Sequence, residues 1–131
     1  MDTTRGLILL AHGSRDARWR EPVQAVARRV AELDSTLAVR CAYLELTPPD
    51  LPTAAIDLIA SGARTISVLP LFLGLGKHLR EDLPQLVAQL REAHPAVTFS
   101  LGQAVGEAPE VIDLLARMAV RSCAKGANSI D

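Results

Sequence analysis

Apolar positions along the chain follow two alternating patterns. Short apolar runs, such as Leu7–Ala11 and the stretch from Ile66 to Leu73, have the length and branching of buried strands. Between them, apolar residues recur at helical spacing. Val23, Val26, Ala27, Val30 and Leu33 form one such stripe, and Leu83, Leu86, Val87 and Leu90 form another. The pattern predicts strands over Gly6–Ala11, Ala38–Leu44, Thr65–Leu69 (extendable to Leu71) and Thr98–Leu101. It predicts helices over Pro22–Leu33, within Asp50–Ser61, over Arg80–Ala93 and over Pro109–Ser122. Pro22 suits a first helical turn, and Gly62 and Pro95 suit helix ends. Thr47, Pro48 and Asp50 resemble the capped start of the second helix.

Strands alternating with helices of this length imply one α/β domain, a four-stranded parallel sheet with helices on both faces. Right-handed crossovers then favour a flavodoxin-like order with the first strand inside the sheet. The domain is expected over residues 6–123, with a frayed tail over 124–131. A chain of 131 residues that is 49% hydrophobic can bury a proper core, and with 3% aromatics that core must be mostly aliphatic.

Net charge is −1, which argues against a nucleic-acid partner, because a basic footprint is missing. No apolar run approaches the roughly 20 residues of a membrane span. The start, Met1 to Arg5, runs directly into a strand and leaves no room for a signal peptide. Cys41 and Cys123 stand in no metal-like spacing. A cytoplasmic protein with reduced thiols is expected.

In such a sheet, ligands bind beyond the carboxyl ends of the strands. Two histidines fall there: His12 directly after the first strand and His78 shortly after the third. Neutral imidazole is the commonest protein metal ligand, and its pKa of about 6.5 suits proton transfer near neutrality. A site handling metal, protons or both follows. Glu45, after the second strand, could orient an imidazole, bind metal, accept a proton or simply cap the next helix. Arg15, Arg18, Arg20, Lys77 and Arg80 crowd the same loops and suggest an anionic ligand, since guanidinium groups match carboxylate or phosphate. Taken singly, each could be only a solvated charge, and Arg20 could pair with Asp16 or Glu21. His94 precedes Pro95 at a helix end and reads as structural.

Several motifs fail. Gly76-Lys77 resembles the end of a phosphate-binding loop, but Leu71 stands where a glycine is needed and His78 where Ser or Thr is needed. No G-x-G-x-x-G follows the first strand. Ser14 is not in a nucleophile elbow.

The combination of residues resembles a known family. The strand-His12-Gly13-Ser14-Arg15 opening, the Tyr43-Leu44-Glu45 to Pro48 segment, and Pro70–Leu73 with Gly76-Lys77-His78 and Asp82-Leu83-Pro84 are similar to the class II chelatases. The small sirohydrochlorin cobaltochelatase group (CbiX-like or SirB-like) matches best, over roughly residues 6 to 120. The resemblance implies insertion of a divalent metal (Co²⁺, Fe²⁺ or Ni²⁺) into sirohydrochlorin, a carboxylate-rich tetrapyrrole, for cobalamin or sirohaem synthesis. It implies His12 and His78 as metal ligands and, with Glu45, as catalytic groups. Ser14, Arg15, Arg18, Gly76, Lys77 and Arg80 would bind the substrate. Gly74 and Gly76 would let the backbone approach the ring or move with it. The metal would be substrate, with no tightly bound cofactor. Longer members carry two such domains facing across a cleft, whereas the family's short form is a homodimer, and the resemblance implies the same here. The rival readings are a cobalt, nickel or tetrapyrrole carrier, a flavodoxin-like enzyme acting on a phosphorylated substrate and, as the weakest, a plain structural domain.

Overall fold

The computed structural model describes residues 5–124. Four strands, β1 (Arg5–Ala11), β2 (Ala38–Tyr43), β3 (Thr65–Pro70) and β4 (Thr98–Leu101), alternate with four helices. These are α1 (Glu21–Leu33), α2 (Leu51–Ala60), α3 (Lys77–Ala93) and α4 (Pro109–Ala124). Every strand pairing is parallel, in the order β2-β1-β3-β4. This is the expected flavodoxin-like order, with β1 and β3 inside. Leu10 sits opposite Ala42 of β2 and Pro70 of β3, so the central strands end side by side.

Alternation along the strands divides the core. Ile8, Leu10, Ile66, Val68 and Phe99 face α2 and α3, where they meet Leu58, Leu83 and Val87. Ile8, Leu10, Leu58 and Leu83 are sealed from water, and each contributes about 1.5–3 kcal/mol by burial. Leu9, Ala11 and Tyr43 face the other way, toward Val23 of α1.

That second face is thinner than the helical pattern suggests. Of the α1 stripe only Val23 is buried, while Val26 is 42% and Leu33 68% exposed. Among the described residues, no second helix packs beside α1. Helix α4 instead packs on the 3-10 turn Val105–Glu107 that precedes it, and its side chains from Ile112 to Cys123 are exposed.

Most boundaries fall within a residue or two of expectation. The exception is α3, which starts at Lys77 rather than Arg80. Gly76 caps it with extended backbone and no side-chain bond, so no Ser, Thr, Asp or Asn marks the start. Helix α2 is capped by Asp50 alone, whose carboxylate accepts from the Thr53 amide at 3.0 Å. Thr47 and Pro48 take no part in that cap. Helix α4 runs through Ala124, and the remainder of the expected tail lies outside the described residues.

Candidate active site

Four loops leave the carboxyl edge, and their backbones are bonded to one another. The Leu44 amide donates to the Ala11 carbonyl at 2.9 Å, and the Glu45 amide donates to the His12 carbonyl at 3.0 Å. The Thr47 hydroxyl then clamps Ser14, donating to its carbonyl at 2.6 Å and accepting from its amide at 3.0 Å. Gly13 lies between the two loops with a φ of 107°, and a Cβ there would sit 1.7 Å from the Glu45 carbonyl oxygen. Only glycine fits both the backbone angle and the space.

The third and fourth loops are tied in the same way. The Leu71 amide donates to the Leu10 carbonyl at 2.8 Å, and the Gly106 amide donates to the Phe72 carbonyl at 2.9 Å. Phe72 is buried, and its ring meets the His12 imidazole edge-on at 4.5 Å. The backbone of the edge is thus a scaffold, and His12 stands on it with its ring held by Phe72.

The charged side chains are outermost. His12, Glu45, Lys77, His78 and Arg80 are exposed. Lys77 and His78 belong to the first turn of α3 rather than to a loop, which corrects the expectation from sequence. Lys77, His78 and Arg80 all sit near a helix N-terminus, where the macrodipole disfavours cations and no acidic side chain offsets them. Such a departure from local preference is typical of sites that bind something negative. Glu45 borders an open cleft of about 470 Å³, lined also by Leu46, Thr47, Pro48 and Asp50. Among the described residues no group of three or more His, Cys, Asp or Glu side chains is arranged to hold a metal ion, so Glu45 does not complete a cage with the histidines.

Arg15 and Arg18 lie in the outer part of the first loop. Arg15 is exposed, and Arg18 is 3.6 Å from Asp16. Asp16 caps the 3-10 turn Ala17–Arg20 by accepting from the Arg18 amide. Glu21 pairs with Arg28 at 2.7 Å, so neither acid suggested for Arg20 pairs with it. Cβ atoms on Gly74 and Gly76 would meet nothing within 4 Å, so the chain itself does not require glycine at either position. His94 ends α3 with its ring 6.2 Å from Phe99, a structural placement as expected.

Burial raises the pKa of the half-buried Cys41 thiol and of the buried Tyr43 hydroxyl beneath α1 above their ordinary values. Thr47 and Phe72 had no signature in the sequence. Thr47 acts on a residue 33 positions away, and Phe72 reads as one more apolar residue after a strand.

The CbiX family model matches residues 6–122. The chain belongs to the CbiX family. A sirohydrochlorin cobaltochelatase of Sulfolobus acidocaldarius is 29% identical over 117 residues, covering 89% of this chain and 91% of its own. Five further sirohydrochlorin cobaltochelatases match along 57–64% of their own length, and one of Priestia megaterium along 36%. Among solved structures, a CbiX protein of Marinobacter aquaeolei VT8, described there as a cobalamin biosynthesis protein, is 36% identical with a TM-score of 0.78. That match covers 94% of this chain and 99% of that one. The sirohydrochlorin chelatase SirB of Bacillus subtilis subspecies spizizenii, solved with cobalt, is 26% identical with a TM-score of 0.75. It matches 92% of this chain but only 51% of its own length.

Proposed function

We propose that this CbiX-family chain is a sirohydrochlorin chelatase, a lyase-class enzyme that places a divalent metal, Co²⁺ or Fe²⁺, into the tetrapyrrole. The observation that carries the reading is the position of the two histidines. They follow β1 and β3, the adjacent central strands between which the sheet order reverses, and this is where ligands bind in such sheets. The relatives' activities support the same reading.

The reaction exchanges M²⁺ for both pyrrole N–H protons, with water lost from the metal. His12 and His78, as neutral imidazoles, suit first-row divalent ions, which here are substrate rather than resident cofactor. Their exposure leaves coordination positions open, as transfer to a ring nitrogen requires. An imidazole or Glu45 accepts the pyrrole protons and returns them to solvent. Lys77, Arg80, Arg15 and Arg18 bind the peripheral carboxylates. Ser14, clamped by Thr47, contributes a hydroxyl at the mouth of the first loop. Gly74 and Gly76, with open space around them, let a flat ring approach the backbone. The chain works as a cytoplasmic homodimer.

Anaerobic insertion of Co²⁺ or Fe²⁺ into sirohydrochlorin, followed by visible absorbance against the protein-free rate, tests the proposal. Acceleration by the protein is expected. Tight binding of metal or ring without acceleration would mark a carrier instead and overturn it.

A further inference from the structure

Among the described residues, the exposed large apolar side chains lie on helices, with two exceptions: Leu46, 53% exposed, and Leu73, 70% exposed. Both stand at the carboxyl edge, in the loops after β2 and β3. Because β1 lies between those strands, the two loops flank the loop that carries His12. Apolar exposure outside the helices is therefore confined to the surroundings of one imidazole.

Leu46 is held there against its backbone preference. Its φ is 65°, and among the described residues no other non-glycine residue has a positive φ. The Thr47 amide donates across it to the Glu45 carbonyl at 2.7 Å, closing a γ-turn of the rare kind with a positive central φ. Glycine or asparagine would take this conformation more easily. The core does not require leucine either, since Leu46 belongs to neither apolar cluster. Its neighbours fix where it stands. The Glu45 amide is bonded to the His12 carbonyl and the Thr47 hydroxyl to the Ser14 carbonyl, so Leu46 bridges the span from His12 to Ser14. With Glu45 it lines the open cleft. Backbone strain of this kind collects at ligand-binding positions.

The chemistry around Leu46 describes what it meets. Arg15 and Arg18 lie beyond Ser14 on one side, and Lys77 and Arg80 lie beyond Leu73 on the other. Apolar side chains beside an imidazole, with cations farther out, suit a flat ligand with an apolar face and an anionic rim. We propose that Leu46 is a specificity-determining residue whose side chain packs against the apolar face of the tetrapyrrole next to His12. The inference rests on the chelatase reading above and adds a residue that grips the ring rather than its carboxylates. Leu46 gains, when the ring binds, the burial it lacks in the free chain.

The test titrates metal-free sirohydrochlorin into the full chain and follows the fluorescence of Trp19, the single tryptophan. Thermal unfolding is measured on the same samples. Leu46→Gly and Leu46→Asn relieve the backbone but remove the apolar surface. They should melt at or above the parent temperature, yet bind the ring about tenfold more weakly. Leu46→Met keeps the apolar surface and should bind like the parent. In turnover, Leu46→Asn should raise the KM for the ring and leave the KM for Co²⁺ unchanged. Parent-like ring binding by Leu46→Gly and Leu46→Asn would overturn the role of Leu46 and leave the chelatase reading standing. Equal weakening in Leu46→Met would also overturn it, because the effect would then belong to the shape of the loop. Melting of Leu46→Gly and Leu46→Asn well below the parent would refute the strain. A parent chain that binds no sirohydrochlorin would refute the chelatase reading itself.

Discussion

The two edges of the sheet are built on opposite plans. At the amino edge the polar groups of the turns are mostly satisfied close at hand. The Asp34 carboxylate accepts from the Thr36 amide and hydroxyl and from the Arg5 guanidinium, the Ser61 hydroxyl donates to the Asp57 carbonyl, and His94 rests near Phe99. At the carboxyl edge the bonds run between loops, from Glu45 to His12, Thr47 to Ser14 and Gly106 to Phe72, while the imidazoles and cations stay exposed. Binding groups are most useful when the backbone beneath them is fixed and their own donors and acceptors are uncommitted. The contrast fits the site proposed at the carboxyl edge and a structural role for the amino edge.

The comparison can be broken most directly through its histidines. His12→Ala and His78→Ala should each lower the rate of metal insertion by about 100-fold or more, the range for loss of a group that acts on the reacting atoms. Thermal unfolding should change little, because both side chains are exposed. A smaller effect, on the scaffold itself, is expected from Gly13→Ala. The added methyl meets the Glu45 carbonyl and the φ of 107° becomes strained, so about 3 kcal/mol of stability should be lost in denaturant titration.

Thr47→Val keeps the shape but removes both bonds to Ser14. It should cost about 1–2 kcal/mol, and insertion should slow further than that loss of folded protein explains. The smallest effect is an acid one. Hydrogen bonds from Thr36 hold the Asp34 carboxyl below its ordinary range, and the Thr53 cap does the same for Asp50. With both pKa values lowered on folding, the unfolded chain binds more protons in acid. This stabilisation is complete above the ordinary carboxylate range and is lost as pH falls through the lowered values. Melting temperature should therefore fall below about pH 4, and less steeply in Asp34→Asn.

Much of this contrast was legible in the residues. The apolar runs located all four strands, because buried parallel strands need continuous aliphatic sequence. His12 was visible as the first polar residue beyond a strand. The start of α3 was hidden because Gly76 carries no capping side chain, which left Lys77 and His78 in an expected loop. Thr47 resembles a cap because Pro48 and Asp50 follow it, whereas its partner, Ser14, is distant in sequence. The exposure of α4 was invisible, since an apolar helix has the same pattern whether it covers its own sheet or another. No spacing rule connects His12 to Phe72.

The central claim is that insertion chemistry resides in the two carboxyl-edge histidines. The most direct test is the initial rate of Co²⁺ insertion into sirohydrochlorin by His12→Ala, His78→Ala and His94→Ala side by side, each corrected for the protein-free rate. The account predicts that the first two fall toward that background while His94→Ala keeps the parent rate per folded molecule. Parent-like turnover in either His12→Ala or His78→Ala, or an equal loss in His94→Ala, would contradict it.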